Sequence, residues 1–158
     1  MYHRNAHFTY FVIIVLCLYC LSCSNSGNKD ITTEKQLVTN PNEMDKVTTD
    51  NIKEALVYAL KNAGKMDDSI TLKLIKTVDA FYKSKNYEPV WSTKATWKPL
   101  ADSLFSFIEN AELQGLFSKE YHNKNLQSLK KKFDSDSLNR MDAVLWSKAD
   151  MMLTDGFM

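Results

Sequence analysis

An amphipathic stripe that runs straight into a proline leaves a chain few ways to fold. From Ile70 the apolar residues Leu74, Ile75, Val78, Phe81 and Tyr82 recur at helical spacing, so one face of a helix over residues 69–84 is predicted, with Asp68 as its cap. Pro89 has no amide hydrogen and disfavours helical geometry at Glu88, so residues 86–91 are expected to form an extended elbow. That elbow is rich in large aromatics: Phe81, Tyr82, Tyr87 and Trp91, with Trp97 close behind. Such side chains bury large areas and keep a polar tip at Tyr and Trp, so a connection built from them dictates how its flanking helices meet.

Further stripes lie on either side. A first helix over residues 51–62 is predicted, with Asp50 as N-cap, Ile52, Leu56 and Ala59 or Leu60 inward, and Gly64 just past its end. A third begins at Lys98 or Pro99, since proline suits a first turn, and carries Leu100, Leu104, Phe107, Ile108 and Ala111 inward until Gly115 stops it. A fourth covers residues 124–132, with Leu126 and Leu129 inward and Phe133 at its end. The last starts near Asp136 and carries Leu138, Met141, Val144 or Leu145, Ala149, Met152 and Leu153. The fold class is therefore all-α: one compact multi-helix domain over residues 50–158.

The amino terminus reads differently. After Arg4, an unbroken apolar run over residues 11–21 ends at Ser22-Cys23, too short for the roughly 18 to 20 residues that span a bilayer. Residues 1–22 are expected to be a signal peptide. Leu21-Ser22-Cys23 resembles a lipobox, which makes Cys23 the candidate lipidation site, although Cys20 stands where that pattern prefers Leu. An ordinary secretory signal or a short uncleaved anchor are the alternatives. Residues 23–49, rich in Ser, Asn, Thr and Lys, bury too little apolar area to order themselves and are expected to form a flexible tether. The expected location is the cell envelope, on the periplasmic face of the membrane as a lipoprotein.

The three cysteines of the chain are Cys17, Cys20 and Cys23, so the domain itself has neither a disulfide framework nor a thiol nucleophile. Twenty basic residues against 19 acidic ones give a net charge of +1, which argues against a nucleic-acid partner. No metal or cofactor is expected. His3 and His7 fall in the signal peptide, and a lone His122 lacks the companions that a metal needs. His122 reads as structural, Asp67, Asp68, Asp134 and Asp136 as carboxylates at helix starts, and Lys130-Lys131-Lys132 as a solvated face. Tyr82, Tyr87, Trp91, Trp97 and Tyr121 are the candidate site aromatics, either packing the elbow or stacking on glycan.

Phe81-Tyr82, Asn86-Tyr87-Glu88-Pro89-Val90-Trp91, Gly115-Leu116, Tyr121-His122 and Asp150-Met151-Met152-Leu153-Thr154-Asp155-Gly156-Phe157 follow one another in this order. Taken together, over roughly residues 50–158, they resemble the helical scaffold domain that precedes the catalytic domain in large murein L,D-transpeptidases of Gram-negative bacteria. Those enzymes act through a cysteine acylated by a donor peptide, with a histidine in the same domain. The resemblance thus implies a non-catalytic scaffold portion of an enzyme of peptidoglycan cross-linking and cell-wall biogenesis. Its implied partners are peptidoglycan, a catalytic domain beyond this chain, and the membrane through the lipid. The alternative is an independent small lipoprotein that binds glycan or an envelope protein through its aromatic face. Because Gly156-Phe157-Met158 follows within a turn of the last apolar stripe, the chain reads as truncated, and Met141, Leu145, Met152, Leu153 and Phe157 are expected to lack part of their packing.

Overall fold

The computed structural model describes residues 34–158. The expectations for residues 1–33, among them the signal peptide and the Cys23 lipid site, lie outside the described residues. Helix α1 (Pro41–Lys61) is followed by α2 (Ile75–Ser84), a hairpin of β1 (Ser92–Thr93) and β2 (Thr96–Trp97), and α3 (Pro99–Glu109). Two 3₁₀ turns (Ala111–Gln114 and Ser118–Tyr121) lead to α4 (Asn123–Ser135), the single-turn α5 (Ser137–Arg140) and α6 (Ala143–Phe157). The all-α expectation holds, with the two-residue strands as its one embellishment among the described residues.

Helix α6 is the axis. Eleven of its residues are buried, from Ala143 round to Asp155, and a helix that is apolar nearly all round has to be enclosed by others. It packs against α1, α2, α3, α4 and the second 3₁₀ turn. Met152 and Leu153, expected to lack partners, are fully buried, and only Phe157 and Met158 at its end stay exposed. Its start also differs from the expectation: Asp142, not Asp136, caps it through the Val144 amide at 3.1 Å. Asp136 caps the short α5 through the Leu138 amide, and Leu138 points to solvent.

Helix α1 begins nine residues before Asp50, inside the stretch expected to be tether. Asn40 accepts from the Asn42 amide and Pro41 occupies the first turn, an N-terminal pair that suits a helix start. Met44 and Thr48 then extend the buried stripe that continues through Ile52, Ala55, Leu56 and Ala59. Residues 36–38 are structured too. They run antiparallel to the start of α6, with Val38 N–H on the Met141 carbonyl at 2.8 Å and Ala143 N–H on the Gln36 carbonyl at 2.9 Å.

The second helix is shorter than its stripe. Residues 64–72 fold into a loop closed by the Leu72 amide on the Gly64 carbonyl, and Asp67, not Asp68, caps the turn by accepting from the Ser69 and Ile70 amides. Gly64 has φ +87°, and a Cβ there would lie 2.3 Å from the Leu72 carbonyl oxygen. In α3 the inward face is Ala101, Phe105 and Ile108, whereas Leu100 and Phe107, expected inside, are 63% and 49% exposed. The stripe is rotated because the hairpin brings Trp97 against Phe105. The fourth helix keeps its expected face of Leu126, Leu129 and Phe133.

The hairpin had no sequence signal. Its two-residue loop, Lys94-Ala95, places both residues at positive φ (47° and 60°), the geometry that usually selects Asn-Gly. Asp45 of α1 holds the loop, accepting from Lys94 N–H at 2.6 Å and Thr93 Oγ1 at 2.8 Å. Left-handed geometry costs a non-glycine residue about 1–2 kcal/mol. Lys94→Asn combined with Ala95→Gly is therefore expected to stabilise the domain by about 1 kcal/mol, read as a rise in thermal midpoint. An unchanged or lower midpoint would mean that the Ala95 methyl contributes more to the core than its backbone strain costs.

Candidate functional site

Where the elbow meets α6, a carboxylate is completely enclosed. Asp150 is 0% exposed. Its Oδ1 accepts from the Tyr82 hydroxyl at 2.7 Å and the Val90 amide at 2.8 Å, and its Oδ2 accepts from the Trp91 amide at 3.0 Å and the Ser92 hydroxyl at 3.1 Å. One helical turn on, Thr154 Oγ1 accepts from Trp91 Nε1 at 2.8 Å, lies 2.8 Å from the Tyr82 hydroxyl, and donates back to the Asp150 carbonyl at 3.0 Å. The spacing of 150 and 154 puts both polar groups on one side of α6, facing the elbow. Asn86 and Tyr87 are left-handed, not extended as expected for residues 86–91, and turn the chain after α2 so that the Tyr87 amide closes on the Tyr82 carbonyl at 2.8 Å. The segment 90–92 is thereby delivered to Asp150.

Burial pushes the Asp150 carboxyl above its ordinary range, against the pull of the four hydrogen bonds. Burial and the nearby carboxylate together push the Tyr82 phenol well up. The charged form of a group without a cationic partner is costly in such a place, so its donors have to be complete. They are, and they leave no lone pair aimed at solvent. This carboxylate is built to hold elements together and is not exposed for proton transfer to a bound molecule.

A second carboxylate on the same helix does similar work nearer the surface. Asp155 Oδ2 lies 2.6 Å from His122 Nε2 and accepts from the Lys73 amide at 2.9 Å, and Oδ1 accepts from the Leu74 amide at 2.7 Å. It therefore secures the entry to α2 and the turn before α4 at once. Burial pushes this carboxyl up, but the hydrogen bonds from His122 and the two amides outweigh it and hold it below the ordinary range. A depressed carboxyl stabilises the fold above its unfolded-state pKa, and that stabilisation is lost as pH falls through the folded-state value. His122 is structural, as expected, through a partner that the sequence reading had not paired with it.

The remaining candidate aromatics divide by depth. Tyr82 and Trp91 are buried, at 0% and 2% exposure, so they are withdrawn from any glycan-facing surface; their polar tips are needed at Asp150 and Thr154. Trp97 meets Phe105, Phe133 and Trp146 with ring centroids 4.8, 5.7 and 4.6 Å away, and Phe133 stacks on Trp146 at 4.2 Å. This cluster joins the hairpin to α3, α4 and α6. Tyr87 is half-buried, with the Lys53 ammonium 5.9 Å from its ring centroid. Tyr121 is half-buried against Gly156, where a Cβ would already touch Tyr121 and Ile108.

Sequence reasoning missed Asp150, Thr154, Asp155, Asp142 and Asp45. The available signal was three polar residues, 150, 154 and 155, set among the apolar residues of 149–157, since such residues survive in a core only when they are hydrogen-bonded. Among the described residues, no group of three or more His, Cys, Asp or Glu is placed to hold a metal ion, and no helix is long and apolar enough to cross a membrane.

The fold and this inward-turned network define a helical domain whose buried carboxylates Asp142, Asp150 and Asp155 fasten its own elements. The family described as Scaffold domain matches residues 76–158, just over half of the chain, and the chain belongs to that family. The matched region begins in α2 and takes in the elbow, the hairpin and everything through α6, which includes Asp150 and all of its partners. No curated protein and no solved structure matches the chain.

Proposed function

We propose that this chain is the non-catalytic scaffold portion of an envelope L,D-transpeptidase system of peptidoglycan cross-linking. The observation that carries this reading is the coincidence of the Scaffold domain match with the Asp150 network, because the residues that resemble the transpeptidase scaffold are the ones that fasten elbow to helix. A support needs this kind of internal fastening, and a rigid domain can hold a catalytic domain or a murein strand at a set distance. In this reading the chain has no acyl-transfer activity of its own. All three of its cysteines fall within the first 23 residues, where Cys23 carries the lipid that keeps the domain on the periplasmic face of a membrane.

The experiment combines two measurements on the exported chain. Intact mass after incubation with a carbapenem, which acylates the active cysteine of L,D-transpeptidases, is expected to be unchanged; a stable adduct would overturn the non-catalytic reading. Palmitate labelling in a Gram-negative host is expected to be lost in Cys23→Ser and kept in Cys20→Ser. Equal behaviour of the two variants would remove the lipid anchor. Sedimentation with purified sacculi, and with an L,D-transpeptidase catalytic domain added, then tests the partners. If neither retains the chain, the scaffold role fails.

A further inference from the structure

A cleft of about 120 Å³ opens between α4, the 64–72 loop and α6, and its polar lining is Asp67, Ser69, Asn125, Ser128, Lys132 and Lys148. Residues 125, 128 and 132 share one flank of α4 because they recur at three- and four-residue spacing. The loop side is set by Asp67, which the Lys148 ammonium reaches at 2.6 Å. Both side chains of that pair are nearly buried, at 10% and 12% exposure.

Donors outnumber acceptors here. Asp67 Oδ1 is filled by the Ser69 amide and hydroxyl and the Ile70 amide. Lys148 has further N–H bonds to give, and Asn125 uses one of its two on the Ser69 carbonyl at 3.0 Å. Among the described residues, neither the Ser128 hydroxyl nor the Lys132 ammonium has a side-chain partner. Two ammonium groups against one carboxylate leave a net positive charge, and the low exposure of Lys148 strengthens its field relative to a solvated lysine.

We propose that this cleft binds a tetrahedral oxyanion, a phosphate group, between Lys132, Lys148, Ser128 and Asn125. Lysines act as point charges that suit a phosphate, whereas a planar carboxylate is best matched by the arginine fork, which the cleft lacks. The volume is well below the roughly 300 Å³ at which sites for larger organic ligands begin, so the group itself is recognised and whatever carries it stays outside. This inference does not depend on the scaffold reading.

The test titrates the full chain with inorganic phosphate and, separately, with phosphatidylglycerol vesicles. The amide resonances of Ser128 and Lys148 report the phosphate arm and co-sedimentation the vesicle arm. Saturable phosphate binding is expected, weakened about tenfold in Lys132→Met and less in Ser128→Ala, in line with loss of a charged and a neutral hydrogen bond. Both positions are solvent-accessible, so neither change threatens the fold, and Lys131→Met, next door on α4, is expected to bind as the parent does. Vesicle binding with the same Lys132 dependence assigns the site to a lipid headgroup; phosphate binding alone assigns it to the free ion. Absence of saturation in both arms overturns the proposal. So does a Lys131→Met loss equal to that of Lys132→Met, because that would mark diffuse charge attraction.

Discussion

Asp150→Ala is expected to leave the domain unfolded at room temperature. The substitution strands four buried donors, the Tyr82 and Ser92 hydroxyls and the Val90 and Trp91 amides, and each buried polar group without a partner costs about 1–3 kcal/mol. Against a total stability of about 5–15 kcal/mol for a domain, that loss is decisive. Asp150→Asn separates charge from connectivity. It keeps one acceptor oxygen for Tyr82 and Val90, but turns an amide N–H toward the Trp91 amide, so a fold weakened by about 2–3 kcal/mol is expected. Far-UV circular dichroism with thermal melting reads both variants. The pH dependence supplies a further check. Because the folded-state pKa of Asp150 is raised, its contribution favours the fold most below the unfolded-state value and declines as pH rises through the folded-state value. Asp150→Asn should remove that part of the dependence, while the acid-side loss from Asp155 remains. A fully folded Asp150→Ala would show that the elbow is held by packing alone.

Trp91→Ala carries the second-largest expected effect, about 3–5 kcal/mol, the usual cost of deleting a large buried aromatic. Trp91 is 2% exposed, donates Nε1–H to Thr154 and sets its ring edge against Phe157 at 5.6 Å between centroids. Trp91→Phe keeps most of the packing and loses the indole hydrogen bond, so a cost of about 1 kcal/mol is expected. A large gap between the two variants, measured by denaturant melts, assigns the residue's role to volume. Equal losses would assign it to the Thr154 bond instead.

Local chemistry alone made several features legible. Pro89 cannot continue a helix, so a break before Trp91 was legible, although α2 already ends at Ser84 and a left-handed turn at Asn86 and Tyr87 takes the place of extended chain. Ile52, Leu56, Val78, Tyr82, Leu126, Leu129 and Phe133 are buried as their spacing implied, because helical period and burial are linked one helix at a time. The start of α1 at Pro41 was less visible. Its first two turns bury only Met44 and Thr48 fully, with Val47 partly buried beside them, too sparse a stripe to stand out from polar text, although Asn40-Pro41 was a usable start signal. The rotation of α3 was out of reach: that helix offers apolar residues at 100, 101, 104, 105, 107 and 108, and which set turns inward depends on what arrives beside it.

The sequence by itself determined that this chain is helical and that residues 24–158 contain no cysteine, since each of these rests on local residues, whereas three helix starts, at Pro41, Ile75 and Ala143, came out elsewhere than the local pattern placed them. Tertiary structure alone decided that Asp150 joins Tyr82 across 68 residues and Trp91 across 59, that Asp155 joins His122 across 33, and that Trp97 completes a cluster spanning three helices. Period and propensity describe one element against an unspecified interior. A buried carboxylate is tolerable only where several distant donors converge on it, and that convergence exists only once the helices have packed.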